Sequence, residues 1–373
     1  MLNRLIRLSL ARGIHSCYCT HMVPKKWRQA PVALVLAALA FSACAKAPPP
    51  PARMEFALGT VCSVNLFEYG EHKLYSRIFQ RLREIDQTMS ARTGIVNIGD
   101  SSLMEINQNA GIAPVKIGSG LLEVLEKAKY YAEISGGAFD PTVGPLVNAW
   151  GIGTESERIP EPQEINRALS LINWQDLIID REQGTAFLRQ QGMELDLGAI
   201  AKGYAADEAV RIAQEAQAGR AIIDLGGNIA AMGARGSANH ESPWRVGIQN
   251  PLGERGEYLG VLSIINKSVV TSGVYERYFE SGGKRYHHIL STRDGYPVDN
   301  GLLSVTIVAD RSIDADGLST AVFALGFRQG LALLETIPGA EGIFVFDDRG
   351  VYITHELRDL FRLASNEYTM KTN

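Results

Sequence analysis

The chain has 373 residues, 46% of them hydrophobic, with 37 Lys and Arg against 41 Asp and Glu for a net charge of −4. This is globular composition, long enough to bury well over half of the unfolded surface in two or three domains or one large two-lobed unit. The body has no long basic run, which argues against nucleic acid as a partner.

The first 50 residues differ in kind from the rest. Lys25, Lys26 and Arg28 form a basic start, and Pro31 to Phe41 is an apolar run too short to span a bilayer. Ser42, Ala43 and Cys44 follow, the small-residue and cysteine order of a lipoprotein signal, with Phe41 where such signals usually carry Leu. Residues 1–44 therefore read as a leader, with Cys44 as the lipidated residue. Met22 alone opens a signal of normal length, so residues 1–21 read as an over-extended start. Residues 45–53 are Pro-rich and suit an extended tether, leaving 54–373 as the catalytic unit. Beyond Cys44 only Cys62 remains, so that unit has neither a disulfide nor a cysteine zinc site. Its apolar neighbours make Cys62 a buried, inert thiol.

Phe56 to Phe67 alternates and predicts a strand. Ile78, Leu82, Ile85 and Met89 share one face of a helix over 75–89. A second amphipathic helix covers 121–135, ended by Gly136 and Gly137, and a loop runs from 138 to 151. Residues 154–168 read as a polar surface insertion and 177–188 as a hairpin. A turn and long helix occupy 194–217, and 221–225 is a short buried strand. Further strands are expected at 244–249, 259–265, 286–290 and 303–309, then a helix at 315–325 and a last hairpin at 343–346 and 351–354. Strands and helices mix without a βα repeat of constant length, which predicts α+β rather than a doubly wound parallel sheet.

Gly-rich blocks carry the candidate chemistry: 135–146, 196–207, 224–228 and 271–277. Glycine lets backbone N–H groups approach phosphate oxygens, although each block alone also reads as a tight turn. In 196–207, Gly198 lies near a helix start that favours an anion, and Lys202 adds a cation one turn later. Asp196 just before the turn has the alternative reading of a simple helix cap. Asp316 and Thr320 are four apart on a helix, two hard oxygen donors on one face, and suit Mg2+ better than zinc. Capping by Asp316 and packing by Thr320 is the equal alternative. His287 and His288 lie in a strand and point to opposite sides, so one of them at most enters a site, and His288 is the candidate base. Phe139, in a Gly-rich loop, is the candidate ring contact; Trp150 and Trp244 read as core.

Taken in this order, the blocks from about Leu58 to about Leu325 resemble the FAD:protein FMN transferase family, also called the ApbE or thiamine-biosynthesis-lipoprotein family. The resemblance implies a two-lobed, T-fold-related α+β architecture with mixed and antiparallel sheets and flanking helices. It implies a Mg2+-dependent enzyme that moves FMN from FAD to a threonine of a target protein as a phosphoester, releasing AMP. Matched position by position, it implies FAD contacts at Leu58, Ala138, Phe139, Asp140, Asp196, Lys202 and Leu290. It places the metal on the Ala199 carbonyl, Asp316 and Thr320, with Asp316 and His288 as the catalytic pair. The same residues would also serve a FAD pyrophosphatase or a non-catalytic flavin-binding lipoprotein. The implied partners are FAD, flavin-acceptor proteins of membrane redox complexes, and a bacterial membrane facing the periplasm, the inner one first, reached through the lipid on Cys44. Departures are Leu58 in place of the usual Met, Ala91-Arg92 after Met89-Ser90, and Ser291 where the family commonly carries Asp.

Overall fold

A computed structural model describes residues 51–67, 71–91, 102–237 and 240–372. The leader, Cys44, most of the tether and Arg92 lie outside these residues. Within the described residues the helices are α1 (His72–Met89), α2 (Ser102–Gln108), α3 (Ser119–Ile134), α4 (Gly144–Trp150), α5 (Pro162–Leu169), α6 (Ala201–Glu215), α7 (Ser312–Leu325) and α8 (Phe327–Leu334). The main sheet is built from β1 (Arg53–Ala57), β2 (Thr60–Leu66), β3 (Ala221–Leu225), β4 (Asn228–Met232), β5 (Lys267–Gly273), β6 (Leu302–Ala309), β7 (Glu341–Phe346), β8 (Gly350–Ile353) and β9 (Thr369–Met370).

These nine strands lie in the sheet in chain order. Every neighbouring pair is antiparallel except β8 with β9. A meander of this kind needs only hairpins, so the long connections are free to carry the site. The largest joins β2 to β3 and holds α1 to α6; another joins β6 to β7 and holds α7 and α8.

Helices cover one face of the sheet. α7 lies over β5 and β6, and α6 packs between α7 and α1. Ile78, Leu82, Leu125, Ala205, Ile223, Val270, Leu318 and Phe323 share that core. A second, three-stranded sheet (244–249, 258–264 and 361–363) covers the other face, where Trp244, Leu262 and Phe361 meet Val269, Val308 and Ile343. Val269 and Val270, adjacent in β5, thus enter different cores. Central strands buried on both faces lose the alternation that marks a half-exposed strand, and β4 and β5 were not legible for that reason.

The α+β class and antiparallel sheets agree with the sequence, and three local expectations change. The strand expected at 56–67 is a hairpin: Ala57 pairs with Thr60 across a two-residue turn in which Leu58 and Gly59 have φ of 54° and 69°. Both central residues of such a turn need positive φ, and only Gly59 announced it. Residues 154–168 are not merely a surface insertion, because α5 buries Ile165 and Ala168 beside Trp150 and Leu290. Its start is fixed by Pro162 in the first turn and a capping box between Glu161 and Glu164. The 138–151 loop contains α4, closed by Gly151 in the left-handed conformation. Cys62 is fully buried, and burial pushes its thiol up to about 12, so it is inert as expected. Among the described residues, no helix is long and apolar enough to cross a membrane.

Candidate active site

The ends of β2, β3 and β5, the start of α6, the middle of α7 and the 138–152 segment surround one cavity of about 480 Å³. Leu58, Ala138, Phe139, Asp140, Asp196, Ala199, Lys202, His288, Leu290, Asp316 and Thr320 all line it. Residues chosen from separate blocks therefore meet in one place, although several do other work than their motif suggested.

Asp316 is buried in α7, and its Oδ2 accepts the Gly203 N–H at 2.8 Å. A regular helix would direct that N–H at the Ala199 carbonyl; Asp316 takes it instead and ties α6 to α7. Its Oδ1 lies 3.7 Å from Lys202 Nζ. Thr320, one turn on, holds its hydroxyl 3.2 Å from Ser272 Oγ. Among the described residues no three His, Cys, Asp or Glu side chains gather as a metal cluster. The donors at hand are one carboxylate, one hydroxyl and the carbonyls of the 198–200 turn. Such a hard, oxygen-only and incomplete set fits Mg2+ completed by water and phosphate, and does not fit zinc.

Asp140 is spent within its own loop. Its carboxylate accepts from Thr142 N–H (2.8 Å), Thr142 Oγ1 (2.7 Å) and Trp174 N–H (3.0 Å), while burial raises its pKa. Its side chain therefore shapes the loop, leaving the backbone of 138–140 to face a ligand. Phe139 is buried with its ring edge-on to Tyr131, 6.3 Å between centroids, so most of that ring is core. Asp196 Oδ1 accepts the Gly198 N–H at 2.8 Å and forms the turn into α6. Leu58 donates its N–H to Asp86 Oδ2 at 2.9 Å, which fixes the β1–β2 turn at the cavity edge.

The two histidines divide as expected, although the strand expected at 286–290 runs instead over Lys284–His287 and His288 lies just past its end. His287 is buried, and its Nε2 lies 2.9 Å from the Val298 carbonyl. It lines a neighbouring hollow of about 730 Å³ that shares Ala138 and Thr292 with the main cavity. His288 faces the main cavity with Nδ1 3.2 Å from the Arg277 carbonyl. A carbonyl only accepts, so Nδ1 carries the proton and Nε2 presents a lone pair. Burial first, then the Arg277 charge, push the imidazole down to about 3, so it is neutral at physiological pH.

Two lining residues, Asn228 and Arg255, carried no individual signal in the sequence. Asn228 is 2% exposed and its Nδ2 has no hydrogen-bond partner. A buried, unpaired donor costs about 1–3 kcal/mol, which suits a ligand acceptor there. Its motif 224–228 was visible, but its donor was not. Arg255 comes from the connection between the two long strands of the small sheet, which carries no motif. Glu276, whose pKa burial raises, and Arg277 line the same cavity.

Known proteins resemble this chain in sequence and fold. The ApbE family model matches residues 58–344. A FAD:protein FMN transferase of Treponema pallidum is 37% identical over 333 residues, covering 86% of this chain and 91% of the relative. One from Klebsiella pneumoniae is 37% identical over 311 residues, covering 83% and 94%. The crystal structure of the ApbE protein of Thermotoga maritima superposes with a TM-score of 0.75 at 29% identity, covering 83% of this chain and 98% of that one. The flavin transferase ApbE of Vibrio cholerae gives 0.73 at 25% identity, covering 84% and 100%. The family match spans the helical layer and every wall of the cavity, and the chain belongs to the ApbE family of enzymes.

Proposed function

We propose that this protein is a Mg2+-dependent FAD:protein FMN transferase that joins FMN to a threonine of an acceptor protein and releases AMP. The observation that carries the reading is a single cavity holding the Asp316–Thr320 oxygen pair, the cations Lys202, Arg255 and Arg277, and the neutral imidazole of His288. Relatives at 37% identity named FAD:protein FMN transferase support it.

The chemistry follows from those groups. The backbone of 138–140 and the β1–β2 turn hold the ligand, and Lys202, Arg255 and Arg277 draw its pyrophosphate. Asn228 Nδ2 donates to an acceptor atom of the same ligand. A bound Mg2+ would be held by Asp316, Thr320 and a carbonyl of the 198–200 turn, and would neutralise phosphate charge. The acceptor threonine oxygen bonds to the FMN-side phosphorus as the bond from that phosphorus to the AMP phosphate oxygen breaks. The threonine proton passes to His288 Nε2, and AMP leaves with the bond electrons. The pyrophosphate charge raises the proton affinity of His288 when the nucleotide is present, which suits the base to this step.

The leader sequence supports export and a lipid anchor on Cys44. That anchor would hold the enzyme on the periplasmic side of a bacterial inner membrane, beside acceptor subunits of membrane redox complexes.

The test is AMP release from FAD and Mg2+, with and without an acceptor domain. Release that depends on the acceptor is the expected result. Equal release in both would make the protein a FAD pyrophosphatase, and retained FAD with no AMP would make it a flavin-binding lipoprotein.

A further inference from the structure

Four oxygens form a line running from the cavity wall, to which Thr320 and Ser272 belong, to the buried Ser319 and the Asp316 backbone. Thr320 Oγ1 lies 3.2 Å from Ser272 Oγ, Ser272 Oγ lies 2.8 Å from Ser319 Oγ, and Ser319 Oγ lies 2.9 Å from the Asp316 carbonyl oxygen. Ser272 comes from β5, and the other three residues from α7. Ser319 and Asp316 are buried, so water does not compete for the inner end.

The direction of this line is fixed from its inner end. A carbonyl oxygen has no proton, and each hydroxyl has one. Ser319 therefore gives its proton to the Asp316 carbonyl. The contact from Ser272 is then a hydrogen bond only if Ser272 donates, because Ser319 has no second proton. Ser272, its proton used, accepts from Thr320. Reversing any link would set lone pairs against each other at 2.8 or 2.9 Å, the second of these contacts being buried.

The consequence falls on the cavity side. The Thr320 proton points inward, and only lone pairs face the cavity. A threonine hydroxyl free to rotate would serve equally as a donor to a phosphate oxygen or as a ligand to a cation. We infer that Ser272 and Ser319 are positioning residues that hold Thr320 as an acceptor-only oxygen, selecting a cation and rejecting a phosphate contact at that point. This inference rests on reading Thr320 as a metal ligand. Asp316 enters twice, since its carboxylate faces the metal position and its carbonyl anchors the relay. Neither serine touches the reacting atoms in this account; both act through Thr320, as outer groups do in other metal sites.

The test measures Mn2+ binding by the loss of the free-ion EPR signal. The protein is the full chain with saturating FAD and no acceptor, in wild type and in Ser272→Ala, Ser319→Ala, Thr320→Ala and Ser272→Thr. FAD affinity in EDTA and thermal midpoints are measured alongside. Each serine-to-alanine variant is expected to raise the Mn2+ Kd about 10-fold, the low end for loss of an outer-shell partner, with FAD affinity in EDTA unchanged. Ser272→Thr, which keeps the hydroxyl, should restore binding. Ser272→Ala combined with Thr320→Ala should be no worse than Thr320→Ala alone, because both act through one oxygen. If Thr320→Ala loses affinity while both serine variants keep it, the relay is overturned and the metal site stands. Thr320→Ala without effect removes the metal reading and the relay with it. Serine variants that weaken FAD binding in EDTA as strongly as Mn2+ binding would make Ser272 a direct nucleotide contact and overturn the relay.

Discussion

Gly203 sits where α6 meets the start of α7, and adding one methyl group there tests how the site is held. A Cβ at this position would lie 2.4 Å from the Ser312 carbonyl oxygen and 2.7 Å from both the Ser312 carbonyl carbon and Ile313 Cα. These atoms are backbone and do not swing aside. Ordinary contact is about 3.5 Å, so Gly203→Ala must part the helices by roughly 1 Å. Overpacking of this kind costs about 1–3 kcal/mol. Alanine is the better helix former by up to about 1 kcal/mol, and offsetting the cost by that much leaves a net loss of about 0–2 kcal/mol. Function should suffer more than stability. The Gly203 N–H is what Asp316 Oδ2 accepts at 2.8 Å, so parting the helices moves the carboxylate relative to Lys202 and the 198–200 turn. A misplacement of about 1 Å can cost on the order of 100-fold in rate. Urea unfolding and the transfer rate, measured on the same preparation, separate the two effects. Gly136→Ala is the control: its φ of 61° makes the change strained, yet no atom lies within 4 Å of the new methyl, so stability falls and activity stays. A Gly203→Ala protein as stable as wild type and within twofold of its rate would refute this packing and the coupling drawn from it.

Three further outcomes are expected. Because burial and the Arg277 charge push His288 down to about 3 in the nucleotide-free enzyme, kcat/KM for FAD should show no acid limb from this residue between about pH 8 and pH 6. An inflection near the unperturbed histidine value of about 6.5 would contradict the assignment. The same sign holds for stability: the unfolded chain takes up this proton below about 6.5 and the folded one does not, so His288 makes the fold less stable as pH falls through that window, as a pH series of urea midpoints with His288→Gln would show. Asn228→Ala should weaken FAD binding by roughly 10-fold, about 1.4 kcal/mol, read by flavin fluorescence; unchanged affinity would mean its Nδ2 faces no ligand. Cys44→Ser should release the protein from membrane fractions and leave transfer in detergent-free solution intact, whereas retention on the membrane would argue against lipidation.

How much of this was legible depended on where the information lay. The faces of α1 and α3 follow from apolar spacing, and the Gly-rich blocks named positions that all reach one cavity. What the blocks could not carry was the use of each side chain. Asp140 stands in a motif yet spends its carboxylate on Thr142 and Trp174. Asn228 stands in one too, and its importance lies in a partner it lacks. The Ser272–Ser319 contact joins residues 47 positions apart on a strand and a helix that approach only in the folded chain. The β1–β2 turn was missed because Leu58 adopts positive φ, a conformation its side chain does not advertise.

The central claim is that the FMN half of FAD ends on another protein. Its most direct test is the intact mass of an acceptor domain after incubation with the full-length enzyme, FAD and Mg2+, followed by fragmentation to place the added group. Asp316→Asn serves as the comparison, because it keeps an oxygen for the Gly203 N–H while removing the charge. The account predicts one added FMN on a threonine, AMP in equal amount, and neither product with Asp316→Asn. An unmodified acceptor alongside free FMN and AMP, or full modification by Asp316→Asn, would contradict it.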